Sequence, residues 1–254
     1  MFGKLLKYEF KFVGKWYFAL YILSLIISIM LGVWIRGVGL VGPLDDRIYN
    51  SLYLSLGALL LIMSIMFIFA GILLSTLIII IRQFYKNLFS REGYLTLTLP
   101  VSTHQIILSK LTAAIIWSIM SGLAICFSIF FILLPSINQE SIRYFLENAK
   151  LYFPPIDSAL LLLSWTVVSF IARILMIYFA IAIGQLFDNY RILLSFVAYC
   201  ILAILIGTFS SYFNLFISDQ WHLHLILNNI LSAVQLVVFY FGSYAIIKYK
   251  INLQ

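Results

Sequence analysis

Apolar residues run along this chain in long blocks that do not alternate, separated by short polar stretches that carry nearly all of the charge. Strands of a membrane barrel need only about 9–11 residues and alternate in polarity. Blocks of about 20–30 residues instead suit helices crossing a hydrocarbon core of about 30 Å, at about 1.5 Å per residue. A helix also satisfies its own backbone hydrogen bonds, which lipid demands. The pattern predicts an all-α integral membrane protein with six transmembrane helices, at about 16–35, 52–81, 105–134, 159–187, 191–213 and 223–247. The least distinct boundary lies between the fourth and fifth spans, where only residues 188–191 intervene.

Composition excludes the soluble alternative. The chain is 64% hydrophobic and 10% charged, against roughly 25% charged in an ordinary soluble domain. So few polar groups cannot cover a water-facing surface, and residues 1–254 read as a single transmembrane domain. With six spans both termini share one side. Eleven lysines and arginines fall on that side, among them Lys4, Lys7, Arg82, Lys86, Arg91, Lys110 and Lys248. Only Arg36, Arg47, Arg143 and Lys150 fall on the other. The positive-inside rule then places both termini in the cytoplasm. The net charge of +7 is thereby a topology signal. A nucleic-acid footprint would need a soluble basic face, which this chain does not offer.

Residues 1–15 form a distinct element. Lys4, Lys7, Lys11 and Lys15 share one helical face, with Phe2, Leu5, Phe12 and Val13 opposite. That pattern predicts an amphipathic interfacial helix on the anionic leaflet, in contact with membrane lipids. The apolar run that follows is longer than the roughly 7–15 residues of a signal peptide and lacks a small-residue cleavage site, so it is expected to remain as an anchor. The loop at 135–158 contains Glu140, Arg143, Glu147 and Lys150 at helical spacing with alternating sign, which predicts a short amphipathic helix at the outer surface. GVGLVG at 37–42 matches a dinucleotide fingerprint by letters only, since a membrane helix precedes it and no βαβ unit surrounds it.

Candidate chemistry is sparse. The chain has no phosphate-cradling G-x-x-x-x-G-K-[ST] and neither H-E-x-x-H nor G-x-S-x-G. It is expected to be non-catalytic and to hold no cofactor or metal of its own. Cys126 and Cys200 lie inside predicted spans and read as small packing residues. His222 and His224 flank one residue; on a helix they diverge and cannot chelate together, so with Trp221 they read as an interfacial anchor. Arg173 is the one charge deep inside a span. It is expected to face protein or a wet cavity, with Ser169 one turn before it. Its role is either a buried arginine bonded to neighbouring carbonyls and hydroxyls or a part of a translocation path. Ala172, Ala180 and Gly184 offer close helix approach nearby.

The segment FSREGYLTLTLPVSTHQIILSKL, 89–111, is unlike the rest. The second span is long enough to continue through Arg82 and Lys86 beyond the membrane. Gly93 breaks it, YLTLTL suits an extended strip, Pro100 ends the strip, and Ser102 with Gln105 has capping-box spacing. The segment reads as a structured elbow between the second and third spans.

Six spans, a basic amphipathic start and this loop resemble the membrane subunits of the ABC-2 (type-2 export) permease family. The resemblance rests on Glu92, Gly93, Leu95, Leu97, Leu99, Pro100, Ser102 and Lys110 together with the topology of the whole chain. It implies a bacterial plasma-membrane permease without a fused ATPase, working with a second permease chain as homodimer or paralogue heterodimer. It implies a cytoplasmic ABC ATPase partner that binds ATP and Mg. It also implies that Phe84, Lys86, Phe89, Arg91, Glu92 and Gly93 form the ATPase-coupling loop. The chain departs from many relatives in placing its longest outer loop between spans three and four, so no substrate gate is carried over. Three functional classes fit: an exporter subunit for an amphipathic substrate such as an antimicrobial peptide, lipid or drug; a membrane sensor or immunity protein that binds without transport; and an ion-driven carrier. The carrier would show internal repeats and broken helices, and neither is evident.

Overall fold

A computed structural model describes residues 2–37, 51–89, 102–134, 137, 143–144, 147–148, 155–187, 189–216 and 221–249. Six long helices account for nearly all of them: α1 (Phe2–Gly37), α2 (Ser51–Phe89), α3 (Thr103–Leu133), α4 (Ile156–Gly184), α5 (Arg191–Phe216) and α6 (Trp221–Tyr249). Five are long and apolar enough to cross a membrane, the apolar stretch on α2 being Met63–Arg82. On α1 the apolar stretch, Tyr17–Val33, is shorter. The expected interfacial helix and first span lie on one unbroken helix, since α1 runs without interruption from Phe2.

The helices α3, α4, α5 and α6 begin and end within three residues of the predicted apolar blocks. The second helix continues past Arg82 as expected, reaching Phe89. Ser102 caps α3: its hydroxyl accepts from the Gln105 amide at 3.4 Å and its carbonyl from the Ile106 amide at 3.2 Å. Of the predicted short helix in the 135–158 loop, the described residues 143–144 and 147–148 are helical. There the Arg143 guanidinium donates to Glu147 at 2.9 Å.

The chain divides into two compact units. One contains residues 7–80 and 115–149, that is, most of α1 and α2 and the later part of α3. Its buried positions recur at i, i+4, i+7 and i+11 on two helices: Tyr17, Tyr21, Ser24 and Ser28 on α1, and Trp117, Ser121, Ala124 and Ser128 on α3. Tyr17 stacks on Trp117 with centroids 4.4 Å apart, and Tyr21 bonds Ser121. The two stripes therefore run parallel and in register. In lipid no hydrophobic force draws helices together, so small and hydroxyl-bearing side chains give the close packing.

The other unit contains residues 1–6, 81–114 and 150–254. Its centre is α4, whose buried side includes Ala172, Met176, Ala180 and Gly184 at one-turn spacing. Asn229 on α6 ties the helices, donating to the Leu161 carbonyl at 3.1 Å and accepting from Ser164 at 3.0 Å. At the α4–α5 turn, Gly184 lies against Arg191 and Ser195 so closely that a Cβ would collide with their backbone atoms. Tyr190, at the same turn, takes a left-handed φ of 57°, and its carbonyl accepts from Leu194 at 2.9 Å to start α5.

Candidate functional site

The end of α2 and the start of α3 are each packed on later helices by aromatic rings. On the α2 side, Phe84 is fully buried and lies face to face with Tyr178 of α4, centroids 3.9 Å apart and planes 6° apart. On the α3 side, His104 stacks on Tyr244 of α6 at 3.9 Å. Its Nδ1 also shares a 2.8 Å hydrogen bond with the Tyr240 hydroxyl. Lys248 extends the stack, its Nζ 5.4 Å from the Tyr244 ring and 5.0 Å from the Tyr249 ring. Aromatic faces carry partial negative charge, which accounts for the cation.

Lys110 is only 2% exposed. The signal was present in its neighbours. Ile106, Ile107, Ala113 and Ala114, one turn to either side, are all buried, so Lys110 stands on the packed face of α3. His104 was also missed, because a single histidine in a helix's first turn carries no motif.

Of the residues expected to couple to an ATPase, only the Phe84 side chain is described, and it packs inward. Lys86 and Phe89 lie on the last turns of α2. Arg91, Glu92 and Gly93 lie outside the described residues, as do GVGLVG beyond Gly37 and the YLTLTL strip.

Arg173, expected to face protein or a wet cavity, is exposed on the surface of the single chain. The residues on either side of it, Ala172 and Ile174, are buried, each about 100° around the helix from it. Ser169, half-exposed, donates to the Thr166 carbonyl at 3.1 Å rather than to Arg173. Insertion scales put the cost of an arginine at the centre of a membrane helix at about 2.5–3.5 kcal/mol.

In the first unit the interior carries a hydroxyl chain. The Tyr21 and Ser121 hydroxyls lie 2.8 Å apart, and Ser121 and Thr76 2.9 Å apart. Thr76 donates to the Ile72 carbonyl at 2.7 Å. One assignment of protons satisfies all three: Tyr21 donates to Ser121, Ser121 to Thr76, and Thr76 to α2's backbone. The Trp117 carbonyl lies 3.2 Å from the Tyr21 hydroxyl as a second acceptor. Among the described residues no group of His, Cys, Asp and Glu is arranged to hold a metal ion. His222 and His224 are both on α6, and the His224 ring stacks loosely on Trp221 at 6.2 Å.

Comparison with protein-family models, with curated proteins and with solved structures finds no match to this chain.

Proposed function

We propose that this chain is the membrane-spanning permease subunit of an ATP-driven exporter of the ABC-2 type. It works in the bacterial plasma membrane with both termini cytoplasmic, beside a second permease chain and a separate ATPase. The substrate is an amphipathic molecule such as an antimicrobial peptide, a lipid or a drug. The observation that carries this reading is the double clamp of the elbow: Phe84 on Tyr178 before it, and His104 on Tyr240 and Tyr244 after it. A loop that merely connected two spans would need no such attachment to helices more than 70 residues further along the chain. A loop pushed by a motor needs both flanks fixed to the helices it moves. The resemblance of Glu92, Pro100, Ser102 and Lys110 to the family's loop supports the same reading.

The test is co-purification from native membranes followed by a paired mutant assay. The chain should bring down a P-loop ATPase. Glu92→Ala should weaken that association or uncouple hydrolysis from transport, because truncating one member of a buried charge pair costs about 2–5 kcal/mol. Glu147→Ala removes a glutamate whose side chain is exposed and bonded only within its own helical turn, and should leave the ATPase bound. Equal behaviour of the two variants, or no ATPase at all, would sink the proposal.

A further inference from the structure

We infer that the Arg173 face of α4 is the docking site for a membrane helix of a non-identical protein, one that carries an aspartate or glutamate at matching depth. The inference rests only on α4 crossing the membrane and stands whether or not the chain is a permease.

Arg173 lies on a helix of 29 residues, Ile156–Gly184, that is apolar enough to span a bilayer. It is about 16 Å along the axis from Gly184 and about 24 Å from Asp157, at about 1.5 Å per residue. Helical side chains lean toward the N-terminus, so the guanidinium is directed away from the nearer end. Reaching a headgroup by stretching is thereby opposed in both directions. The side chain is nevertheless exposed in the single chain. A cation cannot be left in hydrocarbon; intramembrane arginines pair with charged or carbonyl groups.

No carboxylate lies on a span at the depth of Arg173 among the described residues of the chain. Of its nine acidic residues, only Asp157 lies on a candidate span, at the first turn of α4. A second copy of the chain, inserted with the same orientation, would bring a second Arg173 to the same depth and again no carboxylate. Two guanidinium groups facing each other across a two-fold axis in low dielectric repel strongly. The hydroxyls of Ser169 and Thr166 could accept hydrogen bonds from a copy's arginine, but they would leave its charge uncompensated. Charge complementarity therefore selects a different chain.

The rest of the face suits a helix. Leu160, Leu163, Val167 and Phe170 are exposed at spacings of three or four residues leading to Arg173, the spacing of a face that receives a partner helix's side chains. The arginine would give this apolar stripe its partner choice and its depth register.

The experiment places a photoreactive amino acid at Val167, and separately at Phe170, in the full chain in its native membrane. Irradiation should give a cross-linked adduct with another protein. Peptide mapping should locate the cross-link on a membrane helix with an aspartate or glutamate within one turn of the cross-linked position. Arg173→Leu, which retains an insertable helix, should lower adduct yield at least tenfold, and Arg173→Lys should retain part of it. Arg173→Glu combined with a lysine in place of the partner's carboxylate should restore the adduct. An adduct of twice this chain's mass, a lipid adduct, a partner helix lacking a carboxylate, no adduct at either position, or a yield indifferent to Arg173→Leu would each overturn the inference.

Discussion

Phe84 and Tyr178 meet as parallel rings across 94 residues of sequence, with their centroids 3.9 Å apart. Phe84 is fully enclosed, so removing its ring leaves a void as well as a lost stack. Phe84→Ala should destabilise the chain by about 3–5 kcal/mol, and Phe84→Leu by clearly less. Unfolding by SDS titration in mixed micelles measures both. If the elbow is a moving part, Phe84→Leu should also lower transport more than it lowers stability.

Tyr21, Ser121 and Thr76 form one proton chain, so their contributions should not add. Tyr21→Phe and Ser121→Ala should each cost about 0.5–1.5 kcal/mol. The double variant should cost less than the sum, with a coupling near the average of about 0.6 kcal/mol found for hydrogen bonds between membrane helices. A coupling of zero in the cycle would mean that the two hydroxyls do not share a proton in the membrane.

Gly184 and Gly207 separate close approach from helix preference. A Cβ on Gly184 would sit 2.6 Å from the Arg191 carbonyl and 2.7 Å from the Ser195 amide, whereas one on Gly207 would meet nothing within 4 Å. Gly184→Ala should destabilise the α4–α5 turn by about 1–3 kcal/mol. Gly207→Ala should be neutral or stabilising, because alanine favours helix by about 1 kcal/mol over glycine. Thermal denaturation in detergent ranks the pair.

Topology is checked by cysteines placed at Asn148 and at Asn87 in a chain whose Cys126 and Cys200 have been replaced. An impermeant thiol reagent added to intact cells should label the first and not the second. Labelling of both from outside would remove the six-span arrangement with cytoplasmic termini.

The elements themselves were legible because lipid leaves the backbone little choice: a long apolar block must be helical, and its ends fall where polar residues begin. Ser102 announced the start of α3 in the same way, since a hydroxyl three residues before Gln105 is where an orphan amide finds a partner. Faces were harder to read. A helix that is apolar all round has no moment to say which side is packed, so the exposure of Arg173 in the single chain was not legible. The stripe at Tyr17, Tyr21, Ser24 and Ser28 was not read from the sequence, because only its pairing with Trp117, Ser121, Ala124 and Ser128 at the same spacing marks it as packed. The burial of Lys110 was not read from the sequence, although the apolar residues one turn on either side mark the packed face.

The parallel seam also implies an order of events during synthesis. Chains are made from the N-terminus, so α1 must wait for about a hundred residues to be translated before α3 arrives. Ser28 spends that interval self-sufficient, donating at 2.7 Å to the Ser24 carbonyl, as Ser24 does at 2.8 Å to the Tyr21 carbonyl. Tyr21 has no such local outlet; the acceptors recorded for its hydroxyl, Ser121 and the Trp117 carbonyl, are both on α3. It is therefore the group with most to gain from α3's arrival, because its phenol is satisfied only once α3 lies alongside α1.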